Sequence, residues 1–148
     1  THVKQAGSVV APQRLRFDFS HFASVDQLEL AEIENLANQE IQKNIAVETA
    51  VMEIDKAIEG GALAFFGEKY PDKVRVVAVP GFSKELCGGT HVQRTGDIGL
   101  LKVVSEGSIS AGVRRIEAVT GSGALDQFQE VTQMVRGLAA TLKTTPSE

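Results

Sequence analysis

Leu15-Arg16-Phe17-Asp18-Phe19 decides the fold class, because its apolar and charged side chains alternate strictly. Side chains in a strand point to opposite faces in turn, so this order gives one greasy face and one charged face. The residues before it read as irregular or extended: Gly7 and Ser8 lead into Val9-Val10-Ala11, and Pro12 interrupts. After it, Ser24 with Gln27 three residues on predicts a reciprocal cap for a long helix reaching about Lys43, with Leu30, Ile33, Ala37 and Ile41 near one side.

Further along, Val47, Thr49 and Val51 alternate with Glu48 and Ala50 as a second strand. A short helix near Asp55 to Glu59 should stop at Gly60-Gly61. Val74 to Val79 forms a third strand that ends at Pro80-Gly81, and Cys87-Gly88-Gly89-Thr90-His91 reads as a tight, exposed turn. Ile98 to Ser105, broadly apolar, predicts a strand covered on both faces, and Val113 to Val119 another, with a small-residue loop over Gly107 to Gly112. Ser122 then opens a last helix whose Leu125, Phe128, Val131, Val135, Leu138 and Leu142 form a stripe in need of a partner. The expected fold is α+β: an antiparallel or mixed sheet packed against a long helix near residues 25–43 and a C-terminal helix near residues 122–143.

At 148 residues, 43% hydrophobic and 23% charged, the chain suits one compact soluble domain. Its apolar runs fall far short of the roughly 18 residues that cross a membrane, and no basic stretch precedes an apolar one at the start. The single cysteine, Cys87, excludes an internal disulfide and fits a reducing compartment such as the cytoplasm. A net charge of -4 argues against bulk coating of DNA but leaves RNA open through a local basic face. No internal repeat divides the chain; residues 1–143 read as the domain and 144–148 as the start of a linker.

The strongest chemical constellation is Cys87-x-x-x-His91, joined in principle by His2, since thiolate and imidazole are preferred zinc ligands. The rival readings are an inert thiol for Cys87 and a frayed terminal residue for His2. On spacing alone both stay open. His21 is better placed to cap local backbone than to bind metal. Arg16 and Asp18 share a strand face, where they form a solvent-side ion pair unless Arg16 grips a phosphate or carboxylate. Thr90 and Thr95, with Gln93 and Arg94, can line a polar pocket, and alternation sends Arg114 and Arg115 to opposite faces. No phosphate-binding glycine loop, dinucleotide fingerprint or Gly-x-Ser-x-Gly elbow is present, so ATP chemistry and serine-hydrolase chemistry have no address here.

Several separated blocks together carry a resemblance: Thr1-His2-Val3-Lys4-Gln5-Ala6-Gly7-Ser8, Leu15 to His21, Ala64 to Tyr70, Cys87 to His91, Arg94 to Gly99 and Ser110 to Gly121. In this order the sequence resembles the editing domain of alanyl-tRNA synthetase over nearly its whole length. The resemblance implies a proofreading hydrolase that cleaves serine, and glycine, from tRNA(Ala) at its acceptor end, within the remainder of the synthetase. It implies zinc held by a His-x-x-x-His pair, of which His2 matches the second member, and by Cys87 and His91. The first histidine would lie four residues before His2, so the domain is expected to lack its N-terminal part and its zinc site to be incomplete. The same resemblance makes Gln5 and Thr90 pocket candidates, sets Arg16, Asp18, Ser20 and His21 near that pocket, and offers Arg14, Lys84, Arg94 and Arg114 as phosphate contacts. A cytoplasmic protein with no membrane or DNA partner follows. The alternatives are a free-standing trans-editing hydrolase, the related domain of threonyl-tRNA synthetase, and a zinc-stabilised RNA-binding module without catalysis.

Overall fold

A computed structural model describes residues 2–64 and 70–146, so the centre of the Ala64 to Tyr70 block lies outside the described residues. Along the chain the elements are β1 (Gln5–Ala11), β2 (Arg14–Ser20), α1 (Gln27–Gln42), β3 (Glu48–Glu53), α2 (Ile54–Glu59), β4 (Lys73–Val79), β5 (Ser83–Leu86), a 3-10 turn over Thr95–Ile98, β6 (Leu101–Ser110), β7 (Val113–Thr120) and α3 (Ser122–Leu142). The α+β class holds, and all strand pairs are antiparallel. The chain folds as two compact units: Thr1–Val25 with Leu100–Glu148, and Asp26–Gly99. Each closes its own sheet, which is why the division falls between α1 and the strand before it.

The first unit is a four-stranded sheet in the order β1-β2-β7-β6. Alternation in β2 works as read: Phe19 is buried, and its neighbours Asp18 and Ser20 turn to the other face. Asp18 is buried as well, at 6% exposure, because Arg115 stands directly opposite on β7 and covers it. The expected loop over Gly107 to Gly112 is shorter: β6 runs through Ser110 and turns at Ala111-Gly112, where Gly112 takes a φ of 71°. Nor is β6 covered on both faces. It is an edge strand, and Val104 and Ile109 are exposed.

Helix α3 lies against β7 and buries Ala124 and Ala139. Gly121, at φ 57°, occupies the cap position expected of Ser122, because the chain reverses there into the left-handed region. The predicted stripe exists, but Phe128, Leu138 and Leu142 are exposed.

The second unit pairs β3-β4-β5. Val74, Val76 and Leu86 point to one side with Ala57 and Ala62 of the α2 region, forming the core of this unit. Each such valine or leucine contributes on the order of 1.5–3 kcal/mol by leaving water. The cap of α1 is Asp26 with Glu29, two residues beyond the Ser24–Gln27 pair read from sequence: Asp26 Oδ1 accepts from the Leu28 and Glu29 amides, and Glu29 Oε2 accepts from the Asp26 amide at 2.9 Å. Carboxylates win both roles because their bonds to amides are charge-assisted and sit at the positive helix end. The α1 stripe buries Leu30 and Ile41 but leaves Ile33 exposed. Among the described residues no helix is long and apolar enough to cross a membrane.

Candidate functional site

Strand β5 was not legible as a strand, yet it builds the site. Ser83, Glu85 and Cys87 follow one another at every second position, so all three fall on the face opposite the Val76–Leu86 core. On β4 the residues paired with them, Val79 and Val77, share that face. Together with Val47, Phe82 and Thr95 they enclose a cavity of about 220 Å3, and Cys87 and His91 stand on its wall.

The Cys87-Gly88-Gly89-Thr90-His91 segment folds back on itself, bringing His91 Nε2 to 3.2 Å from Cys87 Sγ. Two ligands of one tetrahedral zinc ion, with bonds of about 2.3 Å to sulfur and 2.0–2.1 Å to nitrogen, lie roughly 3.6 Å apart. The pair therefore fits a shared metal with a few tenths of an ångström of adjustment. Thr90 is exposed on the same segment. Arg75, on β4, fastens the segment from below: its Nη1 donates to the carbonyl oxygens of Cys87 at 2.8 Å and Gly89 at 2.6 Å, while the Cys87 amide donates to the Arg75 carbonyl.

Thr95 closes one side of the cavity and is buried. Its hydroxyl donates to the Glu40 carbonyl and accepts from the Ile45 amide, both at 2.9 Å, so it anchors the end of α1.

In the first unit the structure gathers a different set. His2 Nε2 and His21 Nδ1 share a hydrogen bond of 2.7 Å, their rings stack at 4.9 Å, and Phe22 tilts against both. Ser20 ties this corner together: its hydroxyl donates to the His2 carbonyl and accepts from the Lys4 amide. Gln5 donates its side-chain amide to Ser8 Oγ at 3.0 Å. Within neither unit, among the described residues, do three or more His, Cys, Asp or Glu side chains gather as a metal cluster.

The charged candidates are engaged with the protein itself. Arg115 grips Asp18 through two bonds of 2.7 and 2.9 Å, and Arg16 lies 3.7 Å from the same carboxylate. The Arg115 hydrogen bond holds the Asp18 carboxyl below its ordinary range against the opposing effect of desolvation. Arg114 makes a second bidentate pair with Glu106, both bonds at 2.6 Å, and lowers that carboxyl in the same way. These two arginines face opposite sides of β7, as alternation requires.

Arg14 bonds Glu117, Lys84 Nζ donates to the Gly60 carbonyl, and Arg94 donates to the carbonyl and side chain of Asn44. Among these arginines, Arg14 has an open side chain, at 57% exposure, whereas Arg114 is covered, at 16%.

Sequence reading did not single out Arg75, Glu85 or Ser8. A signal existed for Arg75, which is a lone cation inside the apolar run Val74 to Val79, and for Glu85, which precedes Cys87 by one strand period. Ser8 carried none, because the Gln5 bond depends on the turn of the backbone in β1, where the register shifts between Gln5 and Gly7.

Residues 74–117 match the family model described as the threonyl and alanyl tRNA synthetase second additional domain. The chain is 64% identical over 142 residues to an alanine–tRNA ligase of Solibacter usitatus, an alignment that covers 96% of this chain and 16% of the relative. It is 58% identical to the corresponding enzyme of Aromatoleum aromaticum and 57% to that of Desulfosudis oleivorans, in each case over 99% of this chain and 17% of the relative. The chain thus spans about one-sixth of the length of these curated relatives.

Proposed function

We infer that this chain, which belongs to the family of the threonyl and alanyl tRNA synthetase second additional domain, is a proofreading hydrolase for tRNA(Ala) wrongly charged with serine or glycine. The observation that carries the reading is the convergence of Cys87 Sγ and His91 Nε2 on the wall of a partly open cavity. In this reading Cys87 and His91 hold zinc. A bound zinc ion there supplies Lewis acidity toward an ester carbonyl or a nearby water.

The chain's own residues do the rest. Val77, Val79 and Phe82 give the cavity apolar walls that suit a small aminoacyl group and exclude bulk water. Water adds to the ester carbonyl, the bond from that carbon to the ribose oxygen breaks, the amino acid leaves as a carboxylate and the ribose hydroxyl regains a proton. Thr90, beside the ligands, hydrogen-bonds the serine hydroxyl. Alanine leaves that polar group unpaired, which is how a small site rejects the correct amino acid. Glycine enters because it lacks the side chain that the walls would meet.

The partner is the acceptor end of tRNA. Because Arg94, Arg114 and Lys84 are spent on internal bonds and the net charge is -4, the chain alone binds tRNA weakly and works within the remainder of a synthetase, in the cytoplasm. The test is hydrolysis of serine-charged and alanine-charged tRNA(Ala), by the chain alone and by the chain carried in the matching span of a full-length alanine–tRNA ligase. Preferential release of serine in the full-length setting is expected. Equal rates for the two esters, or none above the uncatalysed background, would overturn the reading.

A further inference from the structure

We propose that Arg75 is the positioning residue of the Cys87–His91 pair, a role that rests on the metal reading above. The argument begins with the segment itself. Cys87 to His91 lies beyond the last residue of β5, Leu86, and contains two adjacent glycines, so its backbone has much freedom to lose. Two metal-binding atoms on such a segment converge only if something fixes the turn between them.

Among the described residues, the hydrogen bonds that hold the backbone of this segment come from Arg75 alone. Its carbonyl accepts the Cys87 amide at 3.1 Å, and a single guanidinium nitrogen, Nη1, donates to the Cys87 and Gly89 carbonyls at 2.8 and 2.6 Å. Both carbonyls belong to residues at or next to the thiol. A cation bonded to two carbonyl oxygens makes charge-assisted contacts, stronger than neutral ones, and they act on the part of the turn that aims Sγ toward the imidazole. The stem of Arg75 starts from β4, whose flanking Val74 and Val76 are buried in the core, so the anchor is rigid.

Placement in the strand supports a dedicated role. Val74 and Val76 face the core while Val77 and Val79 face the cavity, and Arg75 is the one charged side chain between Lys73 and Val79. Among the described residues, no carboxylate forms an ion pair with this cation. Its bonds go to the metal-binding segment instead.

The experiment is a cobalt(II) titration of the chain, read by the thiolate-to-cobalt absorption band that Cys87 supplies, with Arg75→Met and Arg75→Lys compared with the unaltered chain. Methionine keeps the length of the stem without a donor, and lysine restores one nitrogen able to reach both carbonyls. Arg75→Met is expected to weaken cobalt binding about ten- to hundredfold and to reduce the band, and Arg75→Lys to recover most of both, with melting temperatures of the metal-free proteins alike. Unchanged affinity and band in Arg75→Met would overturn the proposal, as would a loss that Arg75→Lys shares in full.

If the unaltered chain itself gives no thiolate band, the metal reading fails on its own account. Amide hydrogen exchange of residues 87–91 then decides the positioning role. Exchange at least tenfold faster in Arg75→Met, with β4 unaffected, upholds it, and unchanged exchange sinks it.

Discussion

The four-stranded sheet and the Cys87–His91 segment use polar groups in opposite ways. On the sheet, guanidiniums and carboxylates pair across neighbouring strands, Arg115 with Asp18 and Arg14 with Glu117 on one face and Arg114 with Glu106 on the other. On the segment, a thiol and an imidazole face each other over a cavity with lone pairs to spare, and the one cation nearby bonds only backbone. The sheet fixes register; the segment is left able to bind something else. A motif rich in charge, such as Arg16-Phe17-Asp18, is thus spent on the fold, while a thiol and an imidazole meet on a short run of small residues.

The sharpest way to break this contrast is Cys87→Ala. It should abolish metal binding and reduce release of serine from charged tRNA to background, while leaving the melting temperature close to that of the metal-free parent. If activity and metal content survive, the two regions do not differ as described.

Asp18→Asn probes the other side. It should lower the melting temperature clearly, because Arg115 loses its bidentate partner beneath a buried position, yet leave metal affinity unchanged. The acid limb of stability follows the same logic. Asp18 and Glu106 are held below their ordinary values by hydrogen bonds from arginine, so the stability they contribute is complete above the unfolded-state values and is lost as pH falls through the depressed ones, below roughly pH 4. Thermal melts across that range should fall less steeply for Asp18→Asn than for the parent; parallel curves would remove this pair from the account.

The smallest effect is expected from Arg14→Ala, whose partner Glu117 also accepts from Ser105 and whose side chain is mostly in water. A change within about 1 kcal/mol in denaturant unfolding fits an exposed pair, and a larger one would show that the edge of the lattice is as strong as its centre.

Much of this was legible before any coordinates. Alternation in Leu15 to Phe19, Leu30 and Ile41 of α1 and the apolar run of β4 bury their apolar side where the pattern put it, whereas α3 forms as a helix with its stripe exposed and buries Ala124 and Ala139 instead. What failed were features decided by tertiary context. Strand β5 is four residues with Lys84 and Glu85 at its middle and carries no apolar period; pairing with β4 makes it a strand. An apolar β6 looked enclosed but lies at an edge, because order within a sheet is not written in one strand. At the site, Cys87 and His91 are four apart and legible as a pair. Arg75 reaches them from twelve residues away in sequence, and the His2–His21 contact joins residues nineteen apart; neither leaves a trace in spacing.

The central claim is that Cys87 and His91 hold a zinc ion on which removal of serine from tRNA(Ala) depends. Its most direct test is the rate of serine release by a full-length ligase carrying this chain, measured after metal is stripped by a chelator and again after zinc is restored. The account predicts loss of serine release on stripping and its return with one zinc per chain, and neither change in the Cys87→Ala variant. Full serine release from metal-free protein would contradict it.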